Sequence, residues 1–234
     1  MRLKNSADLV VRLARYNLKI IFANKFIYFL LASLLFFLLV TTIIFFNSDS
    51  DPDPGTIYNL LLFPGILLIF YPSVFGIQND VDSRMIEILF GIPDYRYKVW
   101  GVRMILTWII VFIILVCLAI LSSVALVSVP VIDMVYQLMF PIFFLGCISF
   151  MFSTLVRNGN GTAVIMITIG MIFWIAAEPL DNSKWNLFLN PFSDYENEAV
   201  FAGIILKNRI YLSVGSAFSL LYGLLNLQKR ERFI

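Results

Sequence analysis

Histidine is missing from all 234 residues, and only two cysteines, Cys117 and Cys147, are present. Without histidine, the commonest metal ligand and the usual proton shuttle near neutral pH are both gone. Both cysteines sit inside apolar runs, where they read as small polarizable packing groups rather than a disulfide or a metal site. Charge is the other shortage: Asp, Glu, Lys and Arg make up 14% of the chain, against about 25% in soluble domains. No G-x-x-x-x-G-K-[ST] phosphate loop is present. The nearest glycine cluster, "RNGNGT" at 157–162, lacks the lysine and a preceding strand, and reads as a tight turn. There is no H-E-x-x-H, no cysteine cluster, and no carboxylate pair placed inside an apolar run. Proton pumps and ion-coupled carriers keep ionisable groups within the membrane, so an ion-driven carrier is disfavoured. A membrane-embedded enzyme is disfavoured for want of any acid–base pair.

What fills the chain is hydrocarbon: 60% of residues are hydrophobic and 23 are phenylalanine. Crossing about 30 Å of lipid takes roughly 20 apolar residues. Six stretches qualify, at about 26–46, 56–77, 101–128, 134–156, 161–177 and 208–227. A cleaved signal peptide is not expected, because the first apolar run begins at Phe26 and is too long. The expectation is a single all-α membrane domain over 1–234, with a segment 1–25, six spans over 26–227 and a basic tail 228–234.

Alternate loops then collect on two sides. Residues 1–25, 78–100, 157–160 and 228–234, with Arg103 just inside the third span, hold all the basic residues except Lys184, Lys207 and Arg209. The positive-inside rule places that side, and with it both termini, in the cytoplasm. The first opposite loop, "NSDSDPDPG", carries Asp49, Asp51 and Asp53 and no base.

Within 1–25, Asp8, Arg12, Arg15 and Lys19 share one narrow helical stripe, and Leu9, Val10, Leu13, Tyr16, Ile20, Ile21 and Phe22 cover most of the rest. Such a helix lies along a membrane surface, either as a plain anchor or as a docking lever. The loop after the fifth span, about residues 178–209, places Trp185, Leu187, Phe188, Leu189 and Phe192 between Asn186 and Asn190, with Pro191 as a breaker. Ala199, Val200, Phe201, Ile204 and Ile205 then resume, so two short helices at the outer interface are expected. Pro64 and Pro72 predict kinks in the second span. Gly215, Ser219 and Gly223 form a small-residue stripe suited to close helix packing, within the chain or between copies.

The most polar inner loop begins "DVDSRMIEILFGIPDYRYK" at residue 80. Wound as a helix over 82–90, it takes Asp82 as N-cap and stops at Gly91 and Pro93. Ser83, Arg84 and Glu87 then share one arc, opposite Met85, Ile86, Ile88, Leu89 and Phe90. The result is a two-turn amphipathic helix of about 12 Å, lying between spans two and three. A bare i,i+3 Arg84–Glu87 pair on a solvated face is the alternative, and it is worth only a few tenths of a kcal/mol.

Asp82, Arg84, Glu87, Leu89 and Pro93 resemble the coupling-helix pattern of permease subunits of ATP-binding-cassette exporters of the second type. That pattern reads acidic–x–Arg–x–x–Glu–x–Leu–x–x–x–Pro, followed by a basic stretch. Met85-Ile86 stands where relatives often have Gly-Thr. Arg103 falls where many have a base opening the third span, and "LNPFSDY" at 189–195 is similar to the Asn-Pro segment before the last span. The amphipathic first helix, six spans and a re-entrant outer hairpin including Trp185, Phe188, Asn190, Pro191 and Phe192 also agree.

The resemblance implies a transport subunit, not an enzyme, in a bacterial or archaeal cytoplasmic membrane. Two permease copies, identical or related, would form the path through the bilayer. Each would dock its coupling helix in a separate cytoplasmic ATPase, which holds the ATP and Mg; this chain would bind no cofactor and no nucleic acid. Arg84 and Glu87 would make polar contacts with the ATPase, and Leu89 or Phe90 would pack at the hinge. An uncharged aromatic interior suits a lipid, a lipid-linked glycan, a peptide or a drug. Two alternatives stay open: a non-transporting anchor that recruits a cytoplasmic partner, and a haem-export permease, for which no histidine can speak.

Overall fold

Asp53 and Pro54 start the longest-range organiser of the molecule, a helix whose first turn is set by an acidic cap and a proline at its first position. The computed structural model describes residues 25–46, 52–82, 96–193, 195 and 197–227. Among them no strand occurs, and six long helices follow in order: α1 (Phe26–Phe46), α2 (Pro54–Asp82), α3 (Val102–Ala125), α4 (Val131–Val156), α5 (Gly159–Ala177) and α6 (Glu198–Asn226). A π-helical turn, Arg96–Gly101, leads into α3. Five of them, α1 to α5, are long and apolar enough to cross a membrane.

α2 and α4 form the central pair, with α1, α3 and α5 packed around α2, and α6 against α4. In lipid, apolar side chains gain little from leaving one hydrocarbon for another, so close van der Waals contact decides which helices associate. The central pair meets through reciprocal insertions. Ile142 of α4 lies over Gly65 of α2, and Ile69 of α2 lies over Gly146 of α4, where an added Cβ would come 2.7 Å from its Cγ1. The small-residue stripe of α6 receives α4 in the same way. A Cβ on Gly215 would meet Phe144 at 2.7 Å, and one on Gly223 would meet Phe150 at 2.8 Å. Of the two packings open for that stripe, these contacts are the one within the chain.

Several boundaries differ from the sequence expectation. α2 runs unbroken through Pro64 and Pro72 and continues five residues past the expected end, to Asp82. Asp82 is the last residue of α2 and its side chain is exposed; the helix that it was expected to cap lies, beyond Asp82 itself, outside the described residues. The sixth span was expected to begin at 208; instead, α6 starts at Glu198 and holds 29 residues. Asn197 caps it by accepting from the Val200 amide at 3.2 Å, and no proline interrupts it, so the stretch 199–205 joins the helix rather than forming a separate one. The other expected short helix, near 185–192, is absent. Asn186 Oδ1 and Asn190 Oδ1 each accept the amide two residues on, from Phe188 and Phe192, both at 3.0 Å. These side-chain turns compete with helical bonding, and Pro191 removes a donor.

The chain segments converge on two ends. Lys25, Asn79 to Asp82, the π turn, the 157–159 turn and the end of α6 meet at one, here the clamp end. Lys25 N donates to Tyr71 Oη at 3.2 Å, Gly159 N donates to Gln78 Oε1, and Leu224 and Leu227 pack with Ile77 and Trp100. The 157–159 turn is tight, as expected: Arg157 adopts φ 58° to end α4, and Asn158 caps α5 by accepting from Gly161 N at 3.1 Å. Asp53, the α3–α4 connection, residues 178–193 and the first half of α6 lie at the opposite, cap end.

Candidate functional site

At the clamp end α2 and α3 are joined by an ion pair. Asp80, three residues before the 83–95 segment, and Arg103, eight after it, are 4% and 6% exposed and form the pair, Nη1 to Oδ2, at 3.0 Å. The Arg103 guanidinium also lies over the Trp100 ring, 4.5 Å from its centroid. Trp100 is itself buried against Phe150, with ring centroids 6.0 Å apart, and against Gly76, where a Cβ would come 3.4 Å from the indole. Across the joint, Ser153 Oγ donates to the Val74 carbonyl at 3.0 Å and Asn226 Nδ2 to the Thr154 carbonyl at 2.8 Å. The end of α2 is thus bonded to α4, and α4 to α6. Of the expected coupling residues, only Asp82 lies among the described ones; Arg84, Glu87, Leu89, Phe90 and Pro93 lie outside them. So do Arg12, Arg15 and Lys19 of the N-terminal segment.

The middle of the bundle carries a laterally open groove of about 600 Å³. Phe36 of α1, Asn59 and Phe63 of α2, Met166 and Trp174 of α5, and Phe188 are among its walls, and no ionisable side chain lines it. Its polar groups are the Asn59 amide and Ser149, whose Oγ is already used by the Leu145 carbonyl at 2.7 Å. Such a surface accepts hydrocarbon and aromatic matter and offers nothing to an ion.

The cap end is tied to the bundle through one buried cation. Arg209, 5% exposed, donates from Nε to Gln137 Oε1 at 2.8 Å, from Nη1 to Asn208 Oδ1 at 2.9 Å, and from Nη2 to Tyr58 Oη at 3.4 Å and the Leu189 carbonyl at 3.3 Å. Phe140 lies beneath it, 5.5 Å from guanidinium carbon to ring centroid. No carboxylate among the described residues pairs with it. Asn208 Nδ2 in turn donates to the carbonyls of Lys184, at 3.0 Å, and Asn186, at 2.8 Å. Two adjacent residues of α6 therefore hold the cap segment by three of its backbone carbonyls.

The expected hairpin residues divide between these roles. Asn190 Nδ2 donates to the Gly55 carbonyl at 2.9 Å, pinning the cap to the start of α2. Phe192 packs on Tyr58, with centroids 6.0 Å apart, and Phe188 enters the groove. Pro191 is half-buried beside Phe192. Trp185 faces out, stacked on Tyr211 at 4.7 Å with Lys184 Nζ 5.4 Å from its ring. The sequence reading passed over Tyr58, Asp80, Gln137, Asn208 and Arg209 as site residues. The signal available was opposite charge at one level of neighbouring apolar runs (Asp80, Arg103), and a lone cation among apolar neighbours (Arg209).

Asp53 starts α2 by accepting from Thr56 N at 2.9 Å and from Thr56 Oγ1. These bonds, the side-chain one foremost, hold its carboxyl below its ordinary value of 3.8. A depressed folded value means the stabilisation is present above the unfolded pKa and is lost as pH falls through the folded one. Asp53→Ala should cost about 1 kcal/mol at neutral pH, the usual worth of a cap. The difference from wild type should start to shrink as pH drops below 3.8 and be lost as pH passes through the lower folded value, read by thermal unfolding in detergent across pH. A pH-independent difference would separate the cap from the carboxylate.

Among the described residues no cluster of His, Cys, Asp or Glu could hold a metal ion. Comparisons with protein-family models, with curated proteins and with solved structures each found no match.

Proposed function

We propose that this chain is the membrane-spanning subunit of an ATP-driven exporter of the second cassette type. In this proposal α6 is the sixth span, the clamp end faces the cytoplasm, and residues 82–90 form a coupling helix. A separate cytoplasmic ATPase, with ATP and Mg, grips that helix. Two permease copies enclose the path, the groove between α1, α2 and α5 contributes an apolar wall, and the cap segment closes it outside. The cargo is hydrophobic or amphipathic, because a charged substrate would find no partner in the groove.

The observation that carries the proposal is the buried Asp80–Arg103 clamp with its Trp100 floor. A connecting loop needs no such fixture. A loop that must transmit force does, because slack at its stems would absorb the stroke before α2 moved. The 83–95 sequence adds the docking pattern, and the missing phosphate loop leaves the nucleotide chemistry to another chain.

The test is Glu87→Lys in the assembled complex. Substrate-stimulated ATP turnover should be lost, while insertion, expression and thermal unfolding of the membrane subunit stay at wild-type values. Wild-type turnover in that variant would defeat the docking role.

A further inference from the structure

A narrow chamber lies where α2 passes Pro72, walled by Ile69, Pro72 and Ser73 of α2 and by Arg103, Met104, Thr107 and Trp108 of α3, with Trp100 and Phe150 completing it. Its free room is about 10 Å³, close to the least that holds a single water. Two buried donors in its walls have no hydrogen-bond partner, Arg103 Nε and Trp108 Nε1. Arg103 is itself more than nine-tenths buried. A buried N–H left unbonded is costly, and two at one spot is a liability that folded chains avoid. One acceptor, Thr107, shares the chamber wall with them, and another lies on α2 one turn before Pro72. Pro72 has no N–H, so the Leu68 carbonyl lacks its helical donor. Thr107 Oγ1 spends its proton on the Arg103 carbonyl at 2.9 Å, which leaves its lone pairs free.

We propose that this chamber is a binding site for one structural water molecule, held between Arg103 and Trp108. The water accepts from Arg103 Nε and Trp108 Nε1 and donates toward α2, the way prolines within membrane helices are commonly re-satisfied. A cation is excluded because the two orphan groups are donors. An anion is disfavoured because the Arg103 charge is already matched by Asp80 at 3.0 Å, and the room suits nothing larger than water. The site extends the clamp one step along α3. It stands independently of the exporter proposal.

Radiolytic labelling of the full chain in lipid nanodiscs, after equilibration in H₂¹⁸O, tests it. Hydroxyl radicals born at a bound water oxidise what touches it. Met104, in the chamber wall and 7% exposed, should be oxidised several-fold faster than Met134 and Met166, which are 0% and 5% exposed and lie elsewhere. Trp108→Phe removes one of the two donors and should bring Met104 down to those controls. Equal, low oxidation of all three methionines in the wild type would overturn the proposal by showing a dry chamber. Undiminished labelling of Met104 in Trp108→Phe would overturn the assignment of Trp108 as a partner.

Discussion

Arg103→Met destabilises the folded chain, by up to about 3–5 kcal/mol, because it removes from the buried Asp80 carboxylate the guanidinium that lies 3.0 Å away. Unfolding in mixed detergent and SDS micelles reads this directly. The same principle fixes the companion result: in the double variant Asp80→Leu/Arg103→Met both charges go, and most of the loss returns. The ion pair contributes little net stability, since the desolvation of two charges offsets their attraction. Its consequence is geometric, as it sets where α2 ends relative to where α3 begins. The double variant should therefore be folded and yet transmit poorly, with ATP turnover uncoupled from transport in the assembled complex. A single variant as stable as wild type would show that the Asp80 carboxylate does not depend on Arg103 for its place in the fold.

Arg209→Met acts on the opposite end and locally. Four hydrogen bonds leave with the guanidinium, one of them to the cap segment itself at Leu189. Bonds to charged groups are worth about 1.5–3 kcal/mol, and each 1.4 kcal/mol is about tenfold in an equilibrium. Amide exchange across 183–193 should quicken by roughly ten- to a hundredfold. The α2–α4 contacts, made through Gly65 and Gly146 at another level, should keep their protection. Arg209→Lys does not rescue, because a single ammonium cannot meet acceptors that diverge toward α2, α4, α6 and the cap. Unchanged exchange in Arg209→Met would mean that Asn190 and Asn208 hold the cap without it.

The sequence makes the all-helical character legible for an elementary reason: long runs with almost no charge leave the backbone no partner in lipid but itself. The same charge pattern grouped residues 1–25, 78–100, 157–160 and 228–234 with Arg103; of these, the described residues 25, 78–82, 96–100, 103 and 157–160 do meet at one end of the bundle. Helix ends were less legible. Composition locates where hydrocarbon begins, but α2 and α6 continue as helices beyond it, carrying Asp80 and Asp82 at one end and Glu198 to Lys207 at the other. The cap segment misled for a different reason. Its apolar spacing suggested helix, while Asn186 and Asn190 bond the backbone locally and win.

The two polar centres were the hardest to see. Arg103 was noticed as a base opening the third run and Arg209 as a charge near the start of the last. Their partners lie 23 residues away at Asp80, and 72 and 151 residues away at Gln137 and Tyr58. Pairings at such separations depend on the relative register of two helices, which is set by close packing and leaves no periodic trace in either run.

The central claim is that the segment between α2 and α3 is gripped from the cytoplasm by a separate nucleotide-hydrolysing subunit. A photo-crosslinking amino acid placed at position 87 of the full chain, activated in intact cells, tests this in a single step. The predicted product is one adduct with a protein that binds and hydrolyses ATP, formed at position 87 and absent with the same probe at Trp185 on the cap. An adduct only with lipid, or reactivity of position 87 toward reagents confined to the cell exterior, would contradict it.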